Sequence, residues 1–221
     1  MQKKTIIAVA IILLLFVAIL LVVKNFYSVV NRYERQKVDN MADKEHAELI
    51  GKLKAGKQLT SSEIDRIATY YYLSSKYDEG ISILQEILKR QDGYMAYFQL
   101  SGFYAEKAKM NQPADVKSSL VVKSRDYLAQ GFERVPDKAH AFYMRGKAYA
   151  LLGCLDMAIS DLNKAVEESK KAKTTMLTDG VYVDQKRFAE VVEKDIAEIK
   201  KGQSACLLDS VQGARPGRNQ Q

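Results

Sequence analysis

The chain has little of what catalysis or metal binding usually needs. Its 221 residues include two cysteines, Cys154 and Cys206, and two histidines, His46 and His140. Two cysteines are too few for a disulfide scaffold. A bridge between them is open to an exported domain, and two free thiols is the default expectation. The histidines lie in separate segments and neither stands at a metal-ligand spacing, so no metal or cofactor is expected. No Gly-rich phosphate loop follows a strand, because no segment reads as a convincing strand. Asp78-Glu79 is the nearest approach to paired carboxylates, and acids are ordinary in a turn between helices. With no nucleophile–base set and no tuned acid pair, the sequence does not read as an enzyme.

Blocks of like charge are also scarce. The formal net charge is +7, and Lys3 and Lys4 contribute to it without any acid in residues 1–23. Through the rest, acids and bases alternate, as in Gln85-Glu86-Ile87-Leu88-Lys89-Arg90, the make-up of a solvated helix face. Clustered Lys and Arg with interleaved aromatics are missing, which argues against nucleic acid as a partner. Only Lys24, Arg32, Arg35 and Lys37 form a group suited to anionic lipid head groups.

That group follows the one long apolar run. Residues 5–23, TIIAVAIILLLFVAILLVV, hold no charge, Gly or Pro. As a helix they span about 28 Å, matching a bilayer's hydrocarbon core. A cleaved signal peptide would have an apolar run of roughly 7–15 residues and then small residues at a cleavage site. Here the run ends at Val23-Lys24-Asn25-Phe26-Tyr27, with neither an A-x-A pattern nor a lipidation cysteine. Residues 1–23 are therefore expected to be a transmembrane signal-anchor. Residues 24–58 follow as a juxtamembrane helix and linker, the helix ending at Gly56. Cations on both sides of the span leave the positive-inside rule undecided. The short tail ahead of a long apolar run suits a single-pass protein of the bacterial inner membrane with its C-terminal domain in the periplasm.

Beyond the linker the pattern is helical, and it repeats. Residues 139–172, AHAFYMRGKAYALLGCLDMAISDLNKAVEESKKA, form a unit with Phe142, Gly146, Tyr149, Ala158, Leu162 and Ala165 at fixed offsets. Small residues at Gly146 and Ala158, on two helices joined at Leu152-Gly153-Cys154, imply that another helix comes very close. In the unit before it, 95–138, Phe98, Gly102 and Ala105 take the first-helix places, and Ser124, Leu128 and Gly131 the second-helix places. Gly102 to Ser124 is 22 residues where Gly146 to Ala158 is 12, so ten residues are inserted around KMNQPADVKSS. Pro113 is placed to open a longer second helix, with Asp115 in its first turn. The unit at 61–94 supplies Ile64, Ala68 and Tyr71, then Gly80, Leu84 and Ile87, and Thr60 with Glu63 forms a capping box. Residues 184–201 carry one apolar stripe, Phe188, Val191, Val192, Ile196 and Ile199, as a capping helix needs. The tail, 202–221, has Gly, Pro and Gln without periodicity and is expected to be disordered.

Over 61–172 the chain resembles the tetratricopeptide repeat (TPR) family. The third unit agrees at six spaced positions and departs at Lys170, where a closing Pro is the rule; the first two are degenerate. The resemblance implies an all-α fold, a right-handed superhelical solenoid of about three helix pairs plus the capping helix, behind the N-terminal transmembrane helix. It also implies a concave face, lined by first helices, that holds a protein or peptide ligand. In this register that groove carries Asp65 and Tyr72 from the first unit, and Gln99, Phe103 and Lys107 from the second. His140, Tyr143 and Lys147 come from the third. Tyr72, Phe103 and Tyr143 are expected at its apolar centre unless they only cover the neighbouring helix, with Lys107 and Lys147 orienting an acidic or polar ligand. Members that clamp the C-terminal carboxylates of chaperones use Lys, Asn and Arg where this chain has Asp65, Thr69, His140 and Met144. That departure argues against such a clamp.

The expected function is a membrane-anchored scaffold or adaptor that binds protein partners and supports assembly of a membrane or envelope complex. A cytosol-facing membrane receptor that recognises targeting peptides or recruits soluble partners fits the same layout, and stays open.

Overall fold

The structure, a computed structural model, describes residues 42–178, 181–202 and 205–209. The expected anchor and the juxtamembrane stretch as far as residue 41 lie outside these, as do residues 210–221 of the tail. Among the described residues no helix is long and apolar enough to cross a membrane. The chain divides into two units, Met1–Glu48 and Leu49–Gln221. Residues 42–48, the described part of the first unit, are helical. The second unit is mostly helical as well.

Helix α1 occupies 42–54, and Leu49 and Leu53 near its end are buried. Three helix pairs follow: α2 (Ser61–Leu73) with α3 (Tyr77–Arg90), α4 (Tyr94–Lys109) with α5 (Ala114–Arg134), and α6 (Lys138–Leu151) with α7 (Leu155–Ser169). Strands β1 (Thr174–Thr178) and β2 (Val181–Asp184) then form an antiparallel pair that leads into α8 (Gln185–Ile199). The hairpin corrects the expectation of a chain without strands. Its residues are β-branched or large, and Thr175 and Met176 are buried, so a short extended pair has apolar surface to cover.

Local chemistry sets where these helices start and stop. Thr60 caps α2: its hydroxyl accepts from Glu63 N at 3.2 Å, while Glu63 Oε2 accepts from Thr60 N at 2.9 Å. Helix α6 ends with Gly153 N donating to Ala150 O at 3.0 Å and Cys154 N to Tyr149 O at 2.9 Å, which satisfies two carbonyls left over by the last turn. Helix α2 ends the same way, with Ser75 N to Tyr72 O at 3.0 Å and Lys76 N to Tyr71 O at 2.9 Å. The motif needs a positive φ, 75° at Gly153 and 55° at Ser75, and only the glycine reaches it without a Cβ penalty.

Small residues set the helix crossings. A Cβ on Gly146 would stand 2.9 Å from Leu162 Cγ and 3.1 Å from Ala158 O, so α6 meets the backbone of α7. A Cβ on Gly80 would stand 2.6 Å from the Phe103 ring, so α4 rests an aromatic edge on bare α3 backbone. Between α4 and α5 hydroxyls do this: Ser124 Oγ donates to Ser101 O at 2.8 Å and lies 3.1 Å from Ser101 Oγ. Gly102, which takes the place of Gly146 in the repeat register, does not meet α5, because its Cβ would meet only Leu151 Cδ1, at 3.7 Å. Its neighbour Ser101 takes the crossing instead, about 100° round the helix.

Two clusters of apolar side chains result. The larger buries Ile64, Ile67, Leu84, Ile87, Leu100 and Leu128 among α2–α5. In the smaller, Phe188 and Val192 of α8 pack with Tyr143, Leu162 and Ala165 of α6 and α7. Gly80→Ala and Gly146→Ala are each expected to cost about 1–3 kcal/mol in urea unfolding, by overpacking. Gly102→Ala is expected to leave stability unchanged or to raise it by up to about 1 kcal/mol through helix propensity. Equal losses at all three positions would refute this division.

Cys154 and Cys206 are joined, correcting the default of two free thiols. The bridge brings 205–209 back onto the α6–α7 turn, where Leu207 N donates to Leu152 O at 2.9 Å and Leu208 is buried. This part of the tail is therefore docked, not disordered as the composition of 202–221 suggests: two leucines beside a covalent tether have a core to join. The bridge spans a sequence separation of 52. Closing a loop of that size restricts the unfolded chain, and Cys206→Ser is expected to lower unfolding free energy by about 4 kcal/mol. An unfolding midpoint that ignores both this change and added reductant would exclude the bridge.

Candidate functional site

Helices α2, α4 and α6 turn one face each toward a shared cavity of about 390 Å³, and Leu177 of β1 borders it as well. The spacing along each helix explains which side chains arrive there. Asp65 and Tyr72 lie two turns apart on α2; Gln99 and Phe103 lie one turn apart on α4; His140, Tyr143 and Lys147 follow the same face of α6. All seven line the cavity. Lys107, one further turn along α4, does not: its ammonium pairs with Asp78, in the first turn of α3.

The three expected aromatics differ in what they expose. Phe103 is 1% exposed, held edge-on between Tyr72 and Tyr77 at centroid distances of 6.2 and 6.0 Å, so it forms the floor. Tyr143 is 7% exposed; its hydroxyl donates to Asp195 Oδ2 at 2.9 Å, and Phe188 of α8 meets its ring edge-on. Burial and the Asp195 carboxylate push the Tyr143 phenol well above its ordinary range, so it stays a donor. Tyr72 alone is appreciably exposed, at 37%. Apolar residues complete the cavity's walls: Met144, which the sequence put at a clamp place, and Met95, Phe98 and Leu177, which it did not single out for the cavity. Phe98 and Met144 are next to Gln99 and Tyr143 in sequence and Met95 lies one turn before Gln99, which is a usable signal, whereas Leu177 arrives from a hairpin that was not anticipated.

Asp137 fixes that hairpin to the site. One carboxylate oxygen caps α6 by accepting from His140 N at 3.0 Å, and the other accepts from Met176 N at 2.9 Å. The same carboxylate thus orients the first turn of α6 and the strand beside it. His140, fully buried, stands edge-on to Tyr94 at 6.0 Å.

The polar groups of the cavity form two sets. Lys147 Nζ lies 3.4 Å from Asp195 Oδ2 and 5.5 Å from the Tyr143 ring centroid. With Lys107 held outside by Asp78, neither lysine stands free to orient an acidic ligand. In the second set, Gln99 Nε2 donates to Asp65 Oδ1 at 2.6 Å. Burial pushes the Asp65 carboxyl above its ordinary range, with the Gln99 hydrogen bond and the Arg66 and Lys147 charges opposing that shift. Among the described residues no group of three or more His, Cys, Asp or Glu side chains could hold a metal ion.

Set against family models, curated proteins and solved structures, the chain matches none. The cavity's chemistry therefore stands on its own residues: an aromatic floor, thioether and aliphatic walls, one carboxylate and one lysine.

A carboxyl whose range is raised in the folded state costs stability once it ionises, and that cost disappears as pH falls through the same range. Asp65→Asn keeps an acceptor for Gln99 and removes the charge. It is expected to raise the melting temperature at neutral pH, with the gain vanishing near about pH 3. A gain of equal size at both pH values would refute the assignment to Asp65 ionisation.

Proposed function

We propose that this chain is a membrane-anchored helical scaffold of the TPR type, whose groove holds a segment of a partner protein during assembly of a membrane or envelope complex. The observation that carries the reading is the cavity itself. Three successive helix pairs each contribute only their first helix to it, and β1 borders it. In this reading the pairs make a right-handed superhelical stack, α8 caps it, and residues 5–23 hold it at the bilayer. The apolar content of the walls suits side chains of an inserted peptide, and Gln99 suits its backbone.

The disulfide favours one orientation. Such bridges persist in oxidising compartments and are rare in the cytosol, so Cys154–Cys206 supports a periplasmic domain over a cytosol-facing receptor. Protease added to spheroplasts should then remove the domain, and alkylation of its cysteines should require prior reduction. Digestion only after the inner membrane is lysed would overturn this orientation.

The groove is tested by filling it. Gly102→Leu projects a side chain toward the cavity from a position where a Cβ meets only Leu151 Cδ1, at an ordinary contact distance of 3.7 Å. Proteins that cross-link to the full-length chain in membranes should be lost from this variant, which should keep its helical circular dichroism. Capture undiminished by Gly102→Leu would move the binding surface elsewhere.

A further inference from the structure

We propose that the groove reads a basic side chain, Lys or Arg, placed beside an apolar one in an extended segment of the partner, with Asp65 receiving the cation. This deepens the groove reading above and rests on it. The argument begins with the charges that border the cavity, which are Asp65 and Lys147. Lys147 is answered within the fold by Asp195, at 3.4 Å. Asp65 feels the Arg66 and Lys147 charges only at a distance and has no cation in contact. Its Oδ1 takes a neutral amide hydrogen from Gln99 at 2.6 Å, and among the described residues no ammonium or guanidinium lies within ion-pair distance of it. Its second oxygen is left for a ligand.

An occupant that is only apolar would displace water from this carboxylate and return nothing, and desolvating an uncompensated charge is costly. An acidic occupant would add repulsion to that cost. A Lys or Arg brings the missing charge and a charge-assisted hydrogen bond. Its aliphatic stem suits the Met95 thioether, which lies 3.8 Å from Gln99 Nε2. The exposed Tyr72 ring offers a further face to a cation. The neighbouring apolar side chain of the segment then occupies the space over Phe103 and Leu151.

The probe is a random-peptide phage library panned against the full-length chain in mild detergent, in wild-type, Asp65→Asn and Gly102→Leu forms. Wild-type panning should enrich Lys or Arg next to an apolar residue, and Asp65→Asn panning should lose the basic preference while still selecting apolar residues. A synthetic peptide from the wild-type selection should bind Asp65→Asn about tenfold or more weakly, the worth of a hydrogen bond to a charged group. Replacing its basic residue by citrulline should cost as much on the wild type and nothing further on Asp65→Asn. Wild-type peptides without a basic preference, or a preference that persists in Asp65→Asn, overturn the charge assignment. If those same peptides are lost in Gly102→Leu, the groove reading survives that failure. Selection that Gly102→Leu does not alter overturns both.

Discussion

Phe103 can rest on α3 only because Gly80 presents no side chain to it. That contact fixes how near α4 comes to the first helix pair, and several features of the cavity depend on it. One turn back along α4, Gln99 reaches Asp65 of α2. The Phe103 ring then meets Tyr72 and Tyr77 by their edges, an arrangement favoured by the ring quadrupole. A methyl group at Gly80 would push on the ring that floors the cavity, so fold and site share one steric constraint there.

Periodicity carried much of this layout and geometry carried the rest. Residues spaced by three, four or seven on one helix must share a face, so Asp65 with Tyr72, and His140 with Tyr143 and Lys147, could be grouped from sequence alone. Where a face ends could not be read in this way. Lys107 follows Phe103 by one turn, yet it lies past the cavity and beside Asp78. The rotation of α4 that brings Ser101 to the crossing and turns Gly102 to the cavity is equally invisible to a spacing rule. The hairpin left a weak sign, Asp179-Gly180 between two β-branched runs, which also fits a helix start. Pairing of Cys154 with Cys206 depends on a distance in space, and no count of cysteines supplies it.

The aromatics that look most like binding residues are largely committed to the fold. Phe103 and Tyr143 present little area to a ligand, and the Tyr143 hydroxyl is spent on Asp195. Adaptable surface comes instead from Met95 and Met144, whose unbranched thioethers fit irregular partners. Under the proposed groove reading such walls would accept many apolar shapes, and discrimination would fall to the few polar atoms among them, above all the Asp65 carboxylate.

The disulfide alters how the cavity can move. Leu177, which borders it, and Asp195, which holds Lys147 and Tyr143, both lie between Cys154 and Cys206 in the chain. They belong to a covalently closed ring anchored at the α6–α7 turn by Cys154, two residues beyond Leu152, whose carbonyl also takes the Leu207 amide. A wall inside such a ring behaves like a door on a short chain. Local fraying at the C-terminal end cannot carry it off, and the displacement available to it is bounded by the length of the linking segment.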